Sequence, residues 1–173
     1  MTSERGNVSE PVPGELASDW ELGAAVAAEA PTLLAAARFI LFNEAEAWDA
    51  VQTTIEIALR RGHSLRDQRA LRAWLLVILS RQAFRLKRRL RLALSLELSQ
   101  IELPNAAEPD PAGVAVRDAL ARLPARIRAA VVLHYMFGLS IAEVAAAMHV
   151  SENTSKSQVR VGIARLREFL RDE

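Results

Sequence analysis

Cysteine is absent from all 173 residues, which removes disulfides, thiolate catalysis and cysteine-rich zinc sites. Alternating β-branched runs are scarce, and Ala, Leu, Arg and Glu dominate, so helices are expected and strands are not. Long apolar runs are lacking too. The longest that matters, WLLVIL at Trp74–Leu79, is far too short to cross a bilayer. The opening MTSERGNVSEPVPGEL has neither the basic start nor the apolar run of a leader, so a soluble cytoplasmic chain without membrane insertion is expected. There is no Gly-rich phosphate loop, no nucleophile with a paired base and no H-E-x-x-H pattern. His63, His134 and His149 each stand singly. No enzyme, metal site or cofactor is expected.

What is present is segregated charge. The net charge is only +1, yet residues 1–56 carry ten acids against Arg5 and Arg38, and residues 57–92 carry eleven Arg and Lys against Asp67 alone. Residues 93–118 are acidic again and residues 119–173 basic. A block that cationic points to a polyanionic partner.

With 51% apolar residues the chain can bury one medium core or two small ones. The punctuation favours two. After a tail over residues 1–14, a helical domain is expected over 15–92, with Trp20 and Trp48 as core anchors. An acidic, Pro-containing linker follows over 93–113, and a second helical domain over 114–173. The fold class is all-α: two small helical domains joined by a linker, the second a four-helix helix-turn-helix domain with helices near 114–122, 125–137, 141–148 and 152–170. Pro124 suits the first turn of a helix that would bury Ile127, Val131 and Tyr135, and Gly138 suits the left-handed residue after its end. Ser140 with Glu143 forms a capping box, His149 and Val150 make the turn, and Ser151 caps the last helix with Glu152 near its positive end.

At about 100° per residue, Ser155, Val159, Gly162 and Leu166 share the inward stripe of that last helix. Asn153, Ser157, Arg160 and Ala164 face outward, with Lys156 on the shoulder. No acid occurs between Asn153 and Arg167. A short-chained, polar, cationic face of this kind fits the major groove of duplex DNA.

The stretch from Ala119 to Leu170 resembles the C-terminal domain of bacterial sigma factors of the small extracytoplasmic-function group. The resemblance rests on L-P-x-x-x-R (Leu123, Pro124, Arg128), on G-L-S-x-x-E-V-A from Gly138, and on S-x-x-T-x-K-S from Ser151. It implies that this domain would read the minus-35 promoter element through Asn153, Thr154, Lys156, Ser157 and Arg160. Ser155 stands where the family usually has Val, which predicts looser packing. A response-regulator output domain shares a similar helix pair, but nothing like a receiver domain precedes Ala93.

The same resemblance extends into the first half. NEAEAWDAVQTTIEIALRR (Asn43–Arg61) resembles the polymerase-docking helix, keeping Asp49, Val51 and Gln52 of its signature. Trp48, Val51, Ile55 and Leu59 are expected to be its buried stripe, and Asp49, Gln52, Thr53 and Glu56 the polar stripe that would meet core RNA polymerase. In Leu71–Leu94, which resembles the family's W-L-x-x-I helix, Trp74, Leu75 and Ile78 should be core. Arg81, Arg85, Lys87, Arg88, Arg89 and Arg91 would follow nucleic-acid backbone near the minus-10 element. The family commonly shows Asn and Asp at the positions of Arg81 and Arg85, and Phe84 is the only aromatic in the cationic part of the stretch. The linker acids Glu97, Glu102, Glu108 and Asp110 suit either a nucleic-acid-like path or a solvated tether. Its roughly 20 residues reach about 70 Å at about 3.5 Å each.

The reading is therefore a sigma factor that binds core RNA polymerase and promoter DNA, with an anti-sigma factor as a further partner that the resemblance allows. Two alternatives differ in class: a sigma-like interaction protein, and a free-standing helix-turn-helix regulator, neither initiating transcription itself.

Overall fold

The computed structural model describes residues 19–62, 65, 67–93 and 111–171, with backbone alone for residues 19, 20, 68, 90–93, 111 and 112. The first bundle comprises α1 (Asp19–Ala28), α2 (Ala30–Leu41), α3 (Glu44–Arg61) and α4 (Leu71–Ala93), the last entered through a short 3₁₀ turn at Gln68–Ala70. The second comprises α5 (Pro111–Ala121), α6 (Ala125–Val131) running into a π turn at Val132–Met136, α7 (Ile141–Met148) and α8 (Glu152–Phe169). No strand occurs among the described residues. The all-α architecture of two helical bundles is as expected. The tail over 1–14, the Trp20 side chain and linker residues 94–110 lie outside the described residues.

Helix α3 packs between α2 and α4. Its inward side is Ala47, Ala50, Val51, Thr54 and Ala58; of the expected stripe Val51 is buried and Ile55 packs against the core, but Trp48 and Leu59 do not. Trp48 is 55% exposed and Leu59 48% exposed. The physical reason is proximity: two neighbouring helices approach a face of small residues, and bulkier side chains are turned outward. The Thr54 hydroxyl is buried there and donates to Ala50 O at 2.7 Å, so no polar group is stranded. In α4, Leu75, Leu76, Ile78 and Leu79 are buried and Trp74 packs against the core.

Two further expectations are corrected. Helix α5 begins at Pro111, three residues inside the stretch read as linker, because proline is preset for a first helical turn. Tyr135 is 61% exposed: the π turn, closed by Phe137 N–H donating to Val132 O, winds less per residue and carries Tyr135 off the face that buries Val131.

The apolar core is continuous through both bundles, with α4 against α7 and α2 against α6. At this seam lies Arg128, only 4% exposed. Its guanidinium donates to Ile40 O at 2.9 Å from α2, and to Leu123 O at 3.2 Å and Ala121 O at 3.4 Å beside the end of α5. It also stacks 4.5 Å from the centroid of the Phe42 ring. No carboxylate among the described residues pairs with it. The countercharge comes from the C-terminal ends of α2 and α5, where carbonyls carry the negative pole of each helix. Burial pushes the guanidinium pKa down to about 10, so it stays charged at neutral pH. Because the folded chain holds this proton less tightly than the unfolded one, the burial cost is present at every pH below about 10 and eases only above it.

Phe42 itself has φ 53°, a left-handed backbone costing about 1–2 kcal/mol for a residue with a Cβ. Its ring is 2% exposed, and burying it contributes about 1.5–3 kcal/mol, so packing outweighs strain. The turn is clamped on its outer side by Arg38, whose Nε donates to Glu44 Oε2 at 2.8 Å. That hydrogen bond lowers the Glu44 carboxyl below its ordinary pKa.

Replacing Arg128 orphans three carbonyls at the seam. Arg128→Ala is expected to lower the unfolding free energy by about 3 kcal/mol, and Arg128→Lys to restore less than half, since a single ammonium cannot span carbonyls on both bundles. Urea titration followed by circular dichroism checks this; a loss below about 0.5 kcal/mol would remove Arg128 from its role.

Candidate nucleic-acid interface

Helices α7 and α8 owe their relative placement to short-range chemistry. Ser140 Oγ accepts from Glu143 N–H at 3.2 Å, and Glu143 Oε2 accepts from Ser140 N–H at 2.7 Å, a complete capping box. At the other end of α7, His149 takes φ 53° and its N–H donates to Ala145 O, closing the helix in the left-handed cap geometry. Ser151 then caps α8, accepting from Thr154 N–H at 3.2 Å, with the Thr154 hydroxyl 2.8 Å from Ser151 Oγ. The turn between the helices is thus only His149–Ser151.

The inward stripe of α8 is Ser155, Val159, Gly162 and Leu166, all buried. Ser155 is fully buried and its hydroxyl donates to Ile141 O at 3.3 Å. The position where looser packing was expected is occupied by a hydrogen bond that ties α8 to the first residue of α7. At Gly162, α8 meets α6 so closely that an added Cβ would strike the methyls of Val131 and Ile127.

The outward face is Asn153, Thr154, Lys156, Ser157, Arg160 and Ala164, all exposed. The structure brings the five sequence-identified residues of α8 together on one accessible side. Between α6 and α8 a shallow hollow of about 360 Å³ is bordered by Asn153, Thr154, Ser157 and Gln158.

The cations of α4 are divided. Arg85, Arg88 and Arg89 are exposed. Arg81 is not free to follow a nucleic-acid strand in this arrangement, because it is half-buried at the seam and its Nη2 donates to Ala146 O of α7 at 3.2 Å. Arg85 and Arg89 also border, with Asp49 and Thr53 of α3, a cleft of about 200 Å³. Asp49, Gln52 and Glu56 are exposed and Thr53 half-buried, with Gln52 Nε2 donating to Glu56 Oε1 at 3.3 Å. The exposed Trp48 and Leu59 flank this polar stripe, and Trp48 Nε1 donates to Glu44 Oε1 at 3.1 Å.

Arg126, which the sequence reading gave no role, and His149, read there only as a turn residue, belong to the same region. Arg126 lies with its guanidinium 5.5 Å from the Phe84 ring centroid, and His149 lines a cleft with Arg81, Arg85 and Arg88. The basic, acid-free spacing of Arg126 and Arg128 after Pro124 was the available signal.

Seating of α8 depends on the Gly162 approach. Gly162→Ala gains about 1 kcal/mol of helix propensity but overpacks two β-branched neighbours at about 1–3 kcal/mol. A net loss of stability is expected, measured as a lower melting temperature; a higher one would show that α6 and α8 are not packed this tightly.

The family model "Sigma-70 region 2" matches residues 25–92, and "Sigma-70, region 4" matches residues 113–166. The RNA polymerase sigma-E factor of Streptomyces coelicolor is 30% identical over 140 residues, covering 80% of this chain and 79% of that one. Among solved structures, the sigma factor RpoE in complex with the anti-sigma factor NepR from Bartonella quintana aligns with a TM-score of 0.68 at 27% identity, covering 86% of this chain and 95% of that one. CnrH in complex with the cytosolic domain of CnrY shares the fold, with a TM-score of 0.61 at 24% identity over 90% and 91% of the two chains. Two family regions in order, a capped helix pair with an exposed cationic face, and relatives alike along most of their length make this chain a member of the sigma-70 family of RNA polymerase sigma factors, in its extracytoplasmic-function branch.

Proposed function

We propose that this sigma factor reads the minus-35 element with Asn153, Thr154, Lys156, Ser157 and Arg160, laid in the major groove by α8. The observation that carries this is the division of α8 into a buried side of small and aliphatic residues and an exposed side holding no acid from Asn153 to Arg167. Lys156 and Arg160 supply charge for phosphates or guanine edges, and Asn153 and Ser157 supply donors and acceptors for bases.

Core RNA polymerase docks on the outer face of α3. Asp49, Gln52, Thr53 and Glu56 provide the polar contacts, and the exposed Trp48 and Leu59 beside them provide the apolar anchors typical of an interface centre. Arg85, Arg88 and Arg89 follow the promoter backbone near the minus-10 element, and Arg81 joins them once the seam opens. The functional units are the first bundle, to Ala93, and the second, from Pro111, joined by an acidic connector. Reaching both promoter elements at once requires the bundles to separate, which a connector over residues 94–110, extending to about 60 Å at about 3.5 Å per residue, permits. Catalysis belongs to the polymerase; this chain recruits and positions. One of its solved relatives, RpoE, is held by the anti-sigma factor NepR, and a regulator of that kind is a partner in the cytoplasm here as well.

Run-off transcription with core polymerase and genomic templates tests the reading. Lys156→Ala with Arg160→Ala should cost about 1–3 kcal/mol of promoter discrimination per base-reading residue lost and flatten the salt dependence of binding. Trp48→Ala should instead weaken co-purification with polymerase while leaving duplex binding intact. Unchanged promoter affinity and salt slope in the double variant would remove α8 as the reading helix.

A further inference from the structure

Between α4 of the first bundle and α6–α7 of the second lies a cleft of about 570 Å³. Arg81, Arg85, Lys87 and Arg88 line it from α4, Arg126 from α6 and His149 from the cap of α7, over a floor that includes Phe84 and Met148. No acid lines it. Cations brought together from two bodies repel, and the repulsion grows as water between them is thinned out. An arrangement that closes over such a set is most stable when an anion fills it. Two observations show donors awaiting one. Arg81 Nε is buried and has no hydrogen-bond partner among the described residues, although Nη2 of the same side chain is satisfied by Ala146 O. Arg126 is held on the rim by stacking on Phe84 across the seam, with its planar fork still exposed.

We propose that this seam cleft binds a small molecule carrying a chain of phosphate groups. The volume is that of a small-ligand site, and a duplex could enter only by displacing α6 and α7. Guanidinium forks pair bidentately with phosphate oxygens, and several linked phosphates supply the charge density that at least four Arg require. Because its donors come from both bundles, the ligand fastens the closed arrangement and occupies the α4 cations. This last consequence rests on the promoter-binding role proposed above, whereas the binding site does not.

The test uses the full chain and inorganic tripolyphosphate in isothermal titration calorimetry at moderate salt, with adenosine triphosphate as a second probe. Expected is saturable binding near one per chain with a raised melting temperature. Arg126→Ala and Arg88→Ala, both at exposed positions, should each weaken it at least tenfold, and the Lys156→Ala, Arg160→Ala double variant should leave it unchanged. Competition between tripolyphosphate and promoter DNA would then tie the site to function; if binding holds and competition fails, the cleft stands and the promoter role of α4 falls. The site is overturned by absence of saturable binding, by several equivalents per chain, or by equal loss in the α8 double variant, which would mark diffuse attraction to a basic protein.

Discussion

A single buried guanidinium sets the relation between the two bundles. Arg128 leaves the second bundle, enters the core and is met by the carbonyl ends of α2 and α5 and the face of Phe42. A charge without a carboxylate partner is tolerable there only because two helix termini converge on it. Its placement aligns α2 with α6, and with them α4 with α7. The half-burial of Arg81, the cation-lined cleft and the continuous core all follow from that alignment.

Function is distributed around this seam. The outward faces of α8 and α3 both remain accessible with the bundles together, whereas part of the cationic side of α4 is turned into the seam. On the roles proposed above, the closed molecule would meet polymerase or duplex separately and commit the α4 cations only after opening. That division suits a factor that should engage a promoter only once carried there by polymerase. The short turn His149–Ser151 and the Gly162 approach fix α8 against α7 and α6.

The second bundle was legible in the sequence nearly to the residue, because its signals are local. Ser140 with Glu143, Ser151 and Gly138 are caps whose meaning lies within a few positions, and the alternation of Ser155, Val159, Gly162 and Leu166 with outward polar residues is a plain helical period. What escaped reading depends on distant partners. Besides Val51, the buried side of α3 is Ala47, Ala50, Thr54 and Ala58, residues that carry no strong apolar signal and matter because α2 and α4 press close. Tyr135 is displaced by a π turn that no local pattern announced. Arg128 belonged to a recognised motif, yet its bond to Ile40 joins residues 88 positions apart, and Arg126 acquires meaning only across from Phe84.

On the function proposed above, the free protein is held shut at Arg128 and opens to work. Since the chain has no cysteine, Ala24→Cys on α1 and Glu168→Cys on α8, both exposed, would carry the only two spin labels, one on each bundle. Pulsed electron resonance should give one narrow distance distribution for the free protein, replaced by a longer one on adding core polymerase and promoter DNA. A broad distribution in the free protein, or distances that polymerase and promoter leave unchanged, would contradict it.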